Sequence, residues 1–111
     1  MNLHDKTRLQ DMLKEAIQTQ IFADGKTRDD LTTNTLLVYG LVRAIEIIGE
    51  AANAVSKDVQ QQLTDIDWVG IIGMRHRLIH HYQNVDLNII WDVVSVDIPK
   101  LIPKLQQILE E

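Results

Sequence analysis

Cysteine is absent from this 111-residue chain, so disulfides and thiolate metal sites are excluded and nothing calls for an oxidising compartment. Turn-formers and aromatics are scarce too: five glycines, two prolines, two tryptophans, two tyrosines and one phenylalanine. A fold of many short strands would use tight turns far more often, which disfavours a sheet-rich architecture. No segment approaches the ~20 consecutive apolar residues of a membrane span. The opening Met1-Asn-Leu-His-Asp-Lys6 has no apolar run of the signal-peptide kind, and the expected location is the cytoplasm. Positive charge is in the minority, with 11 Lys and Arg against 16 Asp and Glu, a formal charge of -5. Broad nonspecific affinity for nucleic acid, which comes from cations neutralising phosphates, is not expected of such a balance.

Hydrophobic residues make up 45% of the chain and charged residues 24%, ordinary values for a globular protein. The length suits one domain over residues 1–111, able to bury roughly two-thirds of the surface of its unfolded chain. The periodicity predicts helices throughout. Leu9, Met12, Leu13, Ala16, Ile17 and Ile21 recur at spacings of three and four. Thr7 and Gln10 fit a capping box at the start of that helix, and Gly25 stands where it should end. A second helix is expected from about Thr32 to Val55, apolar around most of its circumference and therefore central. Its exception is a stripe of Tyr39, Arg43, Glu46, Glu50 and Asn53, within an arc of about 80°. Such a stripe faces solvent or a shared cleft, and Arg43 with Glu46 is an i,i+3 ion pair.

Ser56 to Leu63 reads as a loop with a short helical turn. Asp65 or Asp67 should cap a third helix, whose Gly70 and Gly73 suggest close packing against its backbone, with the central helix as neighbour. Gln83-Asn84-Val85 reads as a break, and Asp86 as the cap of a fourth helix through Leu87, Ile90, Trp91 and Val94. Asp97-Ile98-Pro99 suggests a fresh start, with Pro99 near a first turn where its missing N–H is harmless. The expected fold is a compact all-α bundle of about four to five helices.

The chemistry concentrates in Gly73-Met-Arg-His-Arg-Leu-Ile-His-His-Tyr82, three histidines and two arginines without an acid. From Ile71 to Val85 the formal charge is +2, so any anion-binding field is local. Arginine offers a planar fork to phosphate oxygens and histidine exchanges a proton near neutral pH. Near a helix C-terminus the last carbonyls favour imidazolium. Arg75 and His80 would lie about 140° apart on an unbroken helix, so a tight pair requires the helix to loosen near His80. Zinc is disfavoured: His76 and His80 have i,i+4 spacing, but no His-Glu-x-x-His pattern accompanies them. On residue chemistry alone, surface histidines and a helix-end tyrosine packed on the core compete with a catalytic site.

Three blocks carry a resemblance over nearly the whole chain. The segment Arg43-Ala-Ile-Glu-Ile-Ile-Gly-Glu-Ala-Ala52 is similar to the Arg-x-x-Glu-x-Ile-Gly-Glu-Ala segment of HepT-like proteins. Met74 to Tyr82, with Arg75-x-x-x-x-His80-x-Tyr82, resembles the Arg-x(4–6)-His signature of HEPN-domain ribonucleases and, with Val85 to Trp91 beyond it, the HepT-type toxins. Asp97-Ile-Pro-Lys-Leu101 matches as well. One departure is His76, where the family often has asparagine.

The resemblance implies a HEPN helical bundle and a metal-independent endoribonuclease without cofactor, acting as a toxin. Arg75 would steady the scissile phosphate and His80 would transfer protons. His76, Arg43, Glu46 and Glu50 are candidate supporting residues. Family members pair as homodimers, which would supply a second motif across a shared cleft. A cognate MntA-like nucleotidyltransferase antitoxin would neutralise the toxin by AMPylation of Tyr82, in the manner of a type VII toxin–antitoxin pair. RNA is the implied substrate, and structured RNAs such as tRNA fit a local basic field. The alternative implied by the same fold is a non-catalytic HEPN module that binds nucleotide or RNA and scaffolds a nucleotidyltransferase.

Overall fold

The computed structural model describes residues 1–80 and 84–110, with Ile79, His80 and Asn84 described by backbone alone. Four helical rods dominate. The first is α1 (Leu3–Ala23), and a single turn, α2 (Asp30–Thr33), leads into α3 (Thr35–Ala54). A short α4 (Lys57–Gln62) precedes α5 (Trp68–Leu78). A small antiparallel hairpin of β1 (Ile79–His80) and β2 (Asn84–Val85) follows, in the register Ile79 to Val85 and His80 to Asn84. The last rod runs through α6 (Leu87–Asp92), a π-helical segment (Val93–Asp97) and α7 (Ile98–Glu110). The protein is thus an all-α HEPN-like bundle with one minimal hairpin.

Helix α1 begins earlier than the Thr7–Gln10 pattern suggests. Asn2 is its cap, with the side-chain oxygen accepting from the Asp5 N–H at 2.8 Å. Its far end does behave as expected, since Gly25 adopts a positive φ of 71° just past the C-cap Asp24. The buried face comprises Asp5, Leu9, Met12, Ala16 and Thr19. Ile21 lies about 160° round from the middle of that arc and is 60% exposed, and Ile17 is 37% exposed. The polar Thr19 takes the interior place because its hydroxyl is satisfied by the Ala16 carbonyl at 2.7 Å.

Asp5 ties this helix to the middle of the chain. Its carboxylate accepts from the Ser56 backbone N–H and the Ser56 hydroxyl, both at 2.8 Å. Ser56 in turn caps α4 by accepting from the Val59 N–H at 3.4 Å. The backbone bond from Ser56, the largest effect, holds the Asp5 carboxyl below its ordinary value, aided by the Ser56 hydroxyl and nearby His4 and opposed by burial. A depressed carboxylate pKa stabilises the fold above the unfolded-state value, and the gain disappears as pH falls through the folded value. Asp5→Asn should therefore lower Tm at pH 7, with a deficit that shrinks below about pH 4. Thermal melts of both proteins at pH 7 and pH 3 check this, and an undiminished deficit at pH 3 would exclude the ionised carboxylate as the cause.

Helix α3 is the centre, with nine buried positions from Leu37 to Ala52. It starts later than Thr32, because Asn34 interrupts the helix and caps the new one by accepting from the Leu37 N–H at 3.0 Å. Gly49 brings it close to α5: a Cβ there would meet the Ile71 carbonyl oxygen at 3.3 Å. The close approach is thus made by the central helix's glycine rather than by Gly70 or Gly73. Gly70 leaves room for the capping carboxylate of Asp67, which accepts from the Gly70 N–H at 3.0 Å, while nothing stands within 4 Å of a Cβ on Gly73.

Asp86 caps the last rod, accepting from Asn88 and Ile89. No fresh helix starts at Asp97. The rod continues through the π segment, where the Ile98 N–H reaches back to the Val93 carbonyl. In that five-residue register the next N–H would answer the Val94 carbonyl, but residue 99 is proline and has none. The Gln20 side-chain amide of α1 donates to that carbonyl instead, at 2.8 Å. The π segment therefore accommodates Pro99 inside a continuous helix.

Candidate active site

The site is assembled from α3 and α5. Asp67 starts α5, and Gly49 lets its first turns lie against α3. On one flank of the contact a groove of about 200 Å³ opens, lined by Glu46, Gly49, Glu50, Asn53, Ile72, Arg75 and His76. The polar stripe of the central helix therefore faces a cleft over its C-terminal half, while Tyr39 at its N-terminal end is 69% exposed. Arg43 does not line the groove. Its guanidinium holds Glu50 at 3.4 Å and Glu46 at 3.9 Å, which includes the i,i+3 pair expected from the sequence.

Arg75 and His76 are both exposed, on the last turns of α5. Among the described residues neither enters an ion pair, so the Arg75 fork is available to an incoming anion. The same groove carries the carboxylates of Glu46 and Glu50, which would repel a phosphate unless Arg43 offsets them. With Arg43 at the rim, two cations face two carboxylates, and the groove is close to neutral rather than acidic.

The helix ends at Leu78, before His80. The Leu78 carbonyl accepts from the Asp86 N–H at 2.7 Å, which closes the hairpin and turns the chain out of the helix. His80 thus stands on β1 rather than in a helical turn, and the 140° separation of an unbroken helix does not apply to it. The helix thus ends before His80, the loosening that a tight Arg75–His80 pair would need. The His80 side chain, His81 and Tyr82 lie outside the described residues. Sequence reasoning did not single out Gly49 and Ile72 as site residues. The Ile-Gly-Glu run in the central, largely apolar helix was the available signal for Gly49.

No grouping of three or more His, Asp or Glu side chains suited to a metal ion occurs among the described residues. Nor is any described helix long and apolar enough to cross a membrane.

A Methanocaldococcus jannaschii protein named "Putative RNase MJ1380" is 31% identical over 96 residues, covering 86% of this chain and 88% of the relative. "Putative RNase TTE0752" of Caldanaerobacter subterraneus subsp. tengcongensis is 34% identical, with 78% of each chain covered. "Probable ribonuclease HepT" of Thermococcus cleftensis is 30% identical over 97% of this chain and 98% of its own length. No solved structure matches the chain significantly. Residues 12–108 match the family model described as "Ribonuclease HepT-like", a span that takes in α3, the groove and the Arg75–Tyr82 motif, and the chain belongs to that family.

Proposed function

We propose that this protein is a metal-independent endoribonuclease and the toxin of a toxin–antitoxin pair. The observation that carries the reading is the meeting of Arg75 and His76 with the polar stripe of the central helix in one groove, in a member of the HepT-like family. Arg75 grips the scissile phosphate. A histidine removes the 2′-OH proton, the 2′-oxygen attacks phosphorus, Arg75 steadies the pentavalent phosphorane, and an acid protonates the departing 5′-oxygen. The products are a 2′,3′-cyclic phosphate and a 5′-hydroxyl. One His80 cannot conveniently serve as base and acid in the same step, so a homodimer supplies the second. Arg43 keeps the Glu46 and Glu50 carboxylates turned to itself, and His76 lies beside the phosphate as an additional donor.

Tyr82 is the point of control. AMP transferred there by a cognate nucleotidyltransferase antitoxin places a bulky anion two residues from His80, obstructing the site and repelling RNA phosphates. The acidic whole-molecule balance and local basic field suit selective engagement of a structured RNA such as tRNA.

The test is cleavage of a mixed tRNA pool in EDTA by wild type and His80→Ala, once intact mass shows that Tyr82 carries no AMP. Wild type alone should cleave and leave cyclic phosphate ends. Inactivity of an unmodified, dimeric wild type would favour instead a non-catalytic module that binds RNA or nucleotide and scaffolds the nucleotidyltransferase.

A further inference from the structure

A second cavity, of about 280 Å³, lies on the opposite side of α5, between that helix and α7. Its floor is apolar, with Met74, Ile98 and Leu101 among its lining residues, and its rim carries Arg77, Lys100 and Lys104. Three of the chain's 11 basic residues thus meet around one pocket in a molecule of formal charge -5. Two acids share the lining, Asp67 and Asp97. Asp67 is committed to capping α5. Asp97 approaches Arg77 at 3.8 Å, a half-exposed and loose pair that an incoming anion can displace. Lys104 is fixed at the rim by donating to the Asp65 carbonyl at 2.8 Å, and Lys100 has no ion pair among the described residues. An apolar floor beneath a cationic rim matches a base and its phosphate.

The location gives this pocket its relation to the groove. Arg75 and Arg77 are two residues apart, about 200° round the helix and about 3 Å along it, so they point to opposite flanks of one turn. Helix α5 ends one residue after Arg77. A single strand passing round that end can lay one phosphate against Arg75 and, about two nucleotides further on, reach the far flank of a helix about 10–12 Å across. We infer that the pocket between α5 and α7 is a subsite for a nucleotide flanking the scissile bond, with its phosphate held by Arg77, Lys100 and Lys104. The inference rests on the ribonuclease reading and names where that substrate continues.

The experiment is a backbone-amide NMR titration of the full chain with a 2′-O-methyl octaribonucleotide, which lacks the attacking hydroxyl and is not cleaved. Amides near Arg75 and those of Gly70, Lys100 and Leu101 should shift together. Lys100→Ala should reduce the slope of log affinity against log salt by about 0.7, the loss of one single-strand phosphate contact. Asp97→Asn should tighten binding about twofold, a gain that a damaged fold cannot produce. Shifts confined to the α3–α5 groove, with an unchanged salt slope, would overturn the subsite and leave the ribonuclease reading intact. No shift anywhere would also overturn the subsite, while the ribonuclease reading stands or falls separately on cleavage of the tRNA pool. Shifts of the pocket amides with a poly-glutamate peptide but not with the RNA would make this a protein-docking surface and overturn the inference.

Discussion

Arg75→Ala should lower kcat/KM for RNA cleavage by about 10³, the expected cost of removing a preorganised donor aimed at a phosphorane. The side chain is exposed and has no ion pair among the described residues, so Tm should stay within about 1 °C of wild type. Arg75→Lys restores charge without the planar fork and should recover only about a tenth of the lost activity. That split separates bidentate phosphate binding from mere positive potential. Full activity of the lysine variant would reduce Arg75 to a point charge, and full activity of the alanine variant would remove it from the reaction. Single-turnover cleavage of a defined RNA, with melts of each variant, reads both quantities.

Gly49→Val should lower Tm by on the order of 10 °C and, on the ribonuclease reading, disable cleavage as well. A Cβ at this position already stands 3.3 Å from the Ile71 carbonyl oxygen and 3.5 Å from that of Ile72. For Gly49→Ala the strain is small and is offset by about 1 kcal/mol of helix propensity, so its Tm should remain near wild type. Valine adds two further methyl groups at this tight contact, and overpacking of about 1–3 kcal/mol outweighs the few tenths of a kcal/mol, roughly, by which its helix propensity exceeds that of glycine. Each kcal/mol is about 4–8 °C in Tm for a domain approaching this size. The catalytic effect follows from geometry. Forcing α5 away from α3 moves Arg75 relative to the rest of the groove, and a displacement of about 1 Å can cost 10²-fold in rate. A valine variant with wild-type Tm would show that the two helices do not meet there in solution.

The fold was legible wherever hydrophobic period and caps agreed. Central α3, the Asp86 cap and the Gly25 terminus could all be read from residue type and spacing, and the cap of α5 was narrowed to Asp65 or Asp67. What escaped was decided by partners distant in sequence. Thr19 is interior because Ala16 satisfies it, whereas period alone would have buried Ile17 and Ile21. Pro99 reads as a helix start until Gln20, 74 residues before Val94, supplies the missing donor. The glycines illustrate the same limit: Gly70 and Gly73 of the third helix suggested close packing, and only the contact itself assigns it to Gly49 of the central helix. At the site, the stripe from Glu46 to Asn53 was visible as a face. That Arg75 and His76 line the same groove depends on how α5 docks, and the helix end at Leu78 depends on a backbone bond from Asp86.

The bond between Asp5 and Ser56 also has a consequence for biosynthesis. The carboxylate belongs to the first helical turn, whereas its partner lies 51 residues later. At translation rates of about 5–20 residues per second, several seconds pass before that partner is even polymerised. Helix α1 emerges with Leu9, Met12 and Ala16 uncovered and no long-range polar tie to hold its start. Its main packing partner, α3, is completed only at Ala54, just before Ser56 arrives. The α3 part of the hydrophobic cover and the electrostatic latch thus become available to the nascent chain almost together, while α7, which also packs on α1, follows last.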